Sequence, residues 1–138
     1  MNALKIQYRS WYLYDLDGKV LGRVSTEIAS ILQGKHHVSY DRSRDTGDYV
    51  VVINASKFKL TGSKFEQKYY YKHSGYIGNL KKQSIKDKMK TTPSDIIINS
   101  VSGMLPKNKL RDRMLKRLKV YLDSDHPHKN IKFTKEIK

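Results

Sequence analysis

The chain has 138 residues, 38% of them hydrophobic, and 28 Lys and Arg against 13 Asp and Glu give a formal net charge of +15 at pH 7. One domain of this length buries a proper core, but a surplus this large opposes folding unless something anionic neutralises it. Nucleic acid is the first candidate partner and an anionic membrane surface the second. The absence of cysteine excludes disulfides, zinc–thiolate sites and thiol catalysis, and no apolar run approaches the roughly 18–20 residues that span a bilayer.

Taken in chain order, Met1–Ser10 carry no apolar signal core. Trp11–Asp15 are aromatic and β-prone, and Asp17-Gly18 supplies a turn. Leu21, Val24, Ile28, Ile31 and Leu32 follow a helical period that stops at Gly34. Tyr49–Ile53 is a continuous β-branched run, as in a strand buried on both faces. Strand, helix and buried strand make a βαβ unit, so the predicted class is α/β with a parallel sheet. Phe58–Thr61, a turn at Gly62-Ser63 and Tyr69–Lys72 predict a charged hairpin-like excursion that projects from the domain. A loop with Gly75, Gly78 and Asn79 follows, then a short helix over 84–90. Thr92, Pro93 and Asp95 predict a helix start that runs through Ile96, Ile97 and Val101 to Gly103. A basic helix comes next, Val120–Leu122 form a last short strand, and the polar residues from Lys129 onward form a tail held only by a partner.

The charge is concentrated. Residues 57–90 net +8 and residues 103–119 net +6, so two segments hold nearly the whole surplus. In the second of these, Leu110, Met114, Leu115 and Leu118 fall on one side of a helix, and Lys109, Arg113, Lys116 and Arg117 cluster within roughly 100° on the other. Arg111 lies on the apolar side and has to snorkel to solvent or to a ligand. Lys107 and Lys109 stand near the helix N-terminus, where cations cost a few tenths of a kcal/mol each. Such a helix suits a phosphate backbone better than isolation.

Catalytic patterns are missing. Gly18-Lys19-Val20-Leu21-Gly22-Arg23 sits where a dinucleotide-binding turn would sit, but it lacks the GxG spacing and the third glycine. Arg23 in the first helical turn opposes the macrodipole and so serves a phosphate better than the helix. His36-His37 and His126-Pro127-His128 belong to no HExxH motif, so no metal is expected. Asp41, Asp45 and Asp48 interleave with Arg42 and Arg44, which reads as local ion pairing. Tyr69–Tyr76 mixes aromatics with Lys72 and His73, a composition that suits stacking on bases or riboses. Arg42 and Arg44, with Lys57, Lys64, Tyr69, Lys81, Lys82, Arg111, Arg113, Lys116 and Arg117 of the basic segments, are further candidate RNA contacts. A competing reading, an RNA-modifying enzyme using the βαβ crevice, needs a cofactor or metal near Gly18–Arg23 or His126–His128.

Between Trp11 and His128 a series of motifs resembles the large-subunit ribosomal protein L-thirteen family of bacterial and organellar type. They are Leu21-Gly22-Arg23, Gly34-Lys35-His36, Asp45–Ala55, Leu60-Thr61-Gly62, Tyr70–Tyr76, Gly103–Asn108, Leu118–Tyr121 and His126–His128. Ile77 and Asn79 depart from the proline and glycine usual in that loop. The resemblance implies a three-layer α/β/α domain over 11–128, with a small, mostly parallel sheet of about four strands and short flanks at 1–10 and 129–138. It implies a monomer within the ribosome that binds large-subunit ribosomal RNA beside neighbouring ribosomal proteins and supports early subunit assembly and translation. No enzymatic activity, cofactor, metal, small-molecule substrate or membrane is implied, and the location is the ribosome of a bacterial cytoplasm, plastid or mitochondrion. RNA-contact roles carry over to Arg23, Lys35, His36, Tyr71, Lys72, His73, Lys107, Asn108 and Lys109.

Overall fold

The β-branched run Tyr49–Ile53 forms strand β2 at the centre of the molecule, and Val50, Val51 and Val52 are fully buried. In the computed structural model, which describes residues 9–137, β2 pairs in parallel with β1 (Trp11–Asp15) on one side and with Leu118–Val120 on the other. A further parallel strand, Lys135–Ile137, lies on the outer edge of β1, in register Leu13 to Glu136. With the last two numbered β5 and β6, the sheet order is β5-β2-β1-β6. The α/β class and the parallel four-stranded sheet are those anticipated from the sequence.

Helix α1 (Leu21–Gln33) connects β1 to β2. Its apolar stripe of Leu21, Val24, Ile28 and Leu32 packs with Tyr14, Val50, Val52 and Leu118 from one face of the sheet. Gly34 ends it in the left-handed region at φ +78°, with its N–H on Ile31 O at 2.9 Å. Helix α4 (Pro93–Met104) lies beside α1 and contributes Ile96, Ile97 and Val101 to the same core. On the second face Trp11 stacks on Tyr49 at 4.3 Å and meets His128 at 5.1 Å. Residues 121–134, which contain no helix, thus supply the cover at this point.

The excursion is a hairpin, but with partners other than those expected. Strand β3 (Tyr69–His73) pairs antiparallel with β4 (Leu80–Ser84), and Phe58–Thr61 forms only an isolated bridge from Lys59 to Val20. Phe58 is buried in the core, which fixes that stretch against the domain rather than out on the excursion. A four-residue helix α2 (Lys64–Gln67) precedes β3, and helix α3 (Ile85–Thr91) follows β4, its Ser84 hydroxyl accepting from Asp87 N–H.

The basic stretch is shorter as a helix than expected. Helix α5 covers only Leu110–Lys116. Asn108 Oδ1 accepts from Leu110 N–H at 3.1 Å and Arg111 N–H at 3.2 Å, which starts the helix, and pairing of Leu118 with Val50 draws the next residues into β5. The predicted last strand therefore begins two residues early, because cross-strand pairing overrides local preference. The predicted tail departs in the same way, since residues 135–137 are held by β1. Of the proposed N-terminal flank, residues 1–8 lie outside the described residues, as does Lys138.

Candidate nucleic-acid interface

Alternation along β3 decides which tyrosines meet solvent. Tyr70 turns inward, packs against the core with Lys88 Nζ 4.5 Å from its ring, and has its pKa raised by burial. Tyr69 and Tyr71 lie on the opposite face of the strand and are exposed, with Lys82 Nζ 3.8 Å above the Tyr69 ring. Lys72 faces Lys81 across the pair and Tyr71 faces Lys82. Like charges placed directly opposite destabilise a hairpin, so the Lys72–Lys81 pair costs this one stability. His73 Nδ1 accepts from Gly75 N–H at 2.9 Å and closes the turn, leaving Tyr76 and Ile77 exposed at the tip. The hairpin thus places Tyr69, Tyr71, His73 and Lys82 on one face and Lys72 and Lys81 on the other, beside Tyr70.

A second group gathers on the core. The loop after α1 and the segment before α5 form a cleft of about 350 Å³, which Lys35, Arg42, Arg44 and Asn108 help to line. Lys107, Lys109, Arg113 and Lys116 are exposed along this segment and α5. Arg111 is half-buried, as its position on the apolar side required, and its Nε has no hydrogen-bond partner among the described residues. A third set, Arg23 in the first turn of α1, Lys57 in the loop after β2 and Lys64 at the start of α2, is exposed and belongs to neither group.

Arg117 corrects the reading of the basic helix. It is 3% exposed and lies inside the domain, with NH1 and NH2 each 2.5 Å from the two Asp45 oxygens and NH2 also donating to Leu32 O at 3.0 Å. Arg9 adds a weaker contact to Asp45 at 3.5 Å. Burial alone would raise the Asp45 pKa, but the hydrogen bonds and charge of Arg117, with Arg9 behind it, carry it below the ordinary carboxylate value. Arg117 is the C-cap of α5, so the helical projection that placed it among Arg113 and Lys116 no longer applies there. It is not a contact for an external phosphate.

The three aspartates have separate partners. Asp41 alone pairs locally, with Arg44 at 3.8 Å. Asp48 is 1% exposed; its Oδ1 accepts from Ser10 N–H at 2.9 Å, and its Oδ2 lies 2.8 Å from both His36 Nε2 and His37 Nε2. His36 is therefore tied to a buried carboxylate by one ring nitrogen while its residue surface stays exposed. His36, His37 and Asp48 bring one ligand atom each within 4.8 Å of one another, a donor set that a borderline cation accepts. The sequence concealed it because Asp48 is far from any i+3 or i+4 spacing to the histidines.

Replacing Arg113 and Lys116 together with Gln is expected to leave stability within about 0.5 kcal/mol, since both are exposed and neither forms an ion pair among the described residues. A thermal melt checks this.

The family model for ribosomal protein L13 matches residues 9–127. The protein called "Large ribosomal subunit protein uL13" in Syntrophotalea carbinolica is 56% identical over 120 residues, covering 87% of this chain and 84% of that protein. The proteins of the same name in Clostridioides difficile and Vesicomyosocius okutanii are 52% and 55% identical over the same shares. Together with the α/β core, these matches define a structural ribosomal protein, not an enzyme. The chain belongs to the ribosomal protein L13 family.

Proposed function

We propose that the protein binds large-subunit ribosomal RNA directly in the bacterial ribosome, beside neighbouring ribosomal proteins, and supports early assembly of the subunit. The relatives described above are bacterial large-subunit proteins by name. The observation that carries the reading is the distribution of cations without internal partners. Among the described residues Lys35, Arg42, Lys64, Lys72, Lys81, Lys82, Lys107, Lys109, Arg113 and Lys116 are exposed and form no ion pair, while the one strongly basic residue that is buried, Arg117, is paired with Asp45. The α/β core acts as a rigid spacer, and the hairpin and the 105–116 segment clamp separate stretches of RNA. Recognition runs mainly through phosphate and shape, as befits A-form RNA.

The test is binding to large-subunit ribosomal RNA across a salt series. Neutralising about six to ten phosphates makes affinity fall by ~10³ or more between 50 and 200 mM salt, and a nearly flat response would overturn the clamp. Changing Lys72, Lys81 and Lys82 to Gln is expected to lower the slope of log affinity against log salt by about 2–3 and to weaken binding to all RNA sequences alike.

A further inference from the structure

The cleft between the loop after α1 and the segment leading into α5 has a composition that phosphate binding alone does not account for. Its volume of about 350 Å³ lies within the range of small-ligand sites. The walls are apolar: Tyr40, Pro106 and the buried Met114 line it. The rim is cationic, with Lys35, Arg42 and Arg44. One acidic group, Asp41, also lines it, but its carboxylate is engaged by Ser43 N–H at 2.9 Å and by Arg44.

Two amides complete the lining. Gln33 is 7% exposed, and among the described residues its side chain makes one long hydrogen bond, from Nε2 to Met104 O at 3.5 Å. Its carbonyl oxygen therefore keeps its acceptor capacity. Asn108 spends its oxygen on the start of α5 and keeps its NH2 donors. Apolar walls with an aromatic ring, one buried acceptor, one donor and a basic rim match a nucleotide: a flat base, an edge to be read, and a phosphate outside.

We propose that this cleft takes a single unstacked RNA nucleotide, with the base against Tyr40, Pro106 and Met114 and the phosphate on Lys35, Arg42 and Arg44. This rests on the RNA-binding reading above and adds to it a point of base contact where the rest of the interface reads backbone. The ring of Tyr40 provides the stacking face, and Gln33 with Asn108 provides the hydrogen-bonding edge. Ordinary A-form helix does not present such a group, so the occupant comes from a loop, bulge or end.

The experiment is titration of the isotopically labelled full chain with each of the four ribonucleoside 5′-monophosphates, followed by NMR, with ribose 5-phosphate as the baseless control. At least one nucleotide is expected to give saturable shifts at the amides of Gln33, Tyr40, Asn108 and Met114, about five-fold tighter or more than ribose 5-phosphate. Tyr40→Ala, at an exposed position, is expected to erase that margin without altering the fold. Equal binding of nucleotide and ribose phosphate, or no saturable shift at the cleft, overturns the proposal. Parallel measurement of large-subunit RNA binding separates the two readings. Salt-dependent RNA binding with an unresponsive cleft leaves the clamp standing and removes the nucleotide site, whereas loss of RNA binding itself removes both.

Discussion

Arg117→Gln is expected to lower unfolding free energy by about 3–5 kcal/mol at pH 7, the range seen when one partner of a buried ion pair is removed. The mechanism is desolvation: Asp45 keeps its burial and loses two charge-assisted hydrogen bonds, while Leu32 O loses a donor. Arg9, at 3.5 Å and partly exposed, compensates little. The effect depends on pH with a definite sign. Asp45 has a folded-state pKa below its ordinary value of 3.8, so the pair's contribution is fully present above that value and fades as pH falls through the lower folded one. The gap between wild type and variant should therefore be widest near neutral pH and narrow in acid. Urea unfolding followed through the single tryptophan, Trp11, stacked on Tyr49, reads both. A loss below 1 kcal/mol at pH 7 would mean that the side chain is solvated rather than buried.

Gly47→Ala is expected to be worse, at least 4 kcal/mol, with the protein recovered largely unfolded. A Cβ on Gly47 would lie 1.8 Å from Leu32 O and 2.5 Å from Leu32 C, backbone atoms of the last turn of α1 that cannot rotate aside. It would also come within 3.0 Å of Arg117 NH2. Relief requires moving either the helix end or the entry to β2, and both carry core side chains. Circular dichroism of the purified variant decides it; a cooperative melt within about 4 °C of wild type would show that the loop yields.

These two sites mark where the sequence could be read and where it could not. The β-branched run at Tyr49–Ile53, the apolar period ending at Gly34 and the proline-started helix at Pro93 carry their structure locally, and all three elements appear where expected. The hairpin was legible as a projection but not in its register, because Tyr69–His73 can pair with either flank and only the burial of Phe58 removes one of them. Arg117 was misplaced for a related reason. A helical wheel holds only while the helix lasts, and pairing of Leu118 with Val50, sixty-eight positions apart, ends it. Asp45 and Asp48 look like partners for the neighbouring Arg42 and Arg44, yet their partners come from Arg117, Arg9 and the two histidines. Exposed cations of the hairpin were easy to nominate because no folding is needed to put a lysine at a surface. Tyr40 and Gln33 of the cleft carried no signal, since their meaning arises only when Pro106 and Met114 arrive opposite them.

The buried pair also bears on how tightly the cleft would hold the proposed nucleotide. Arg117 joins the end of α5 to the loop before β2, and the two walls of the cleft belong to those same stretches of chain. Their relative position is settled when the protein folds, so a nucleotide entering between them has little chain entropy left to remove. In that sense an arginine buried inside the domain would set part of the free energy of the proposed nucleotide binding, by having ordered the site in advance.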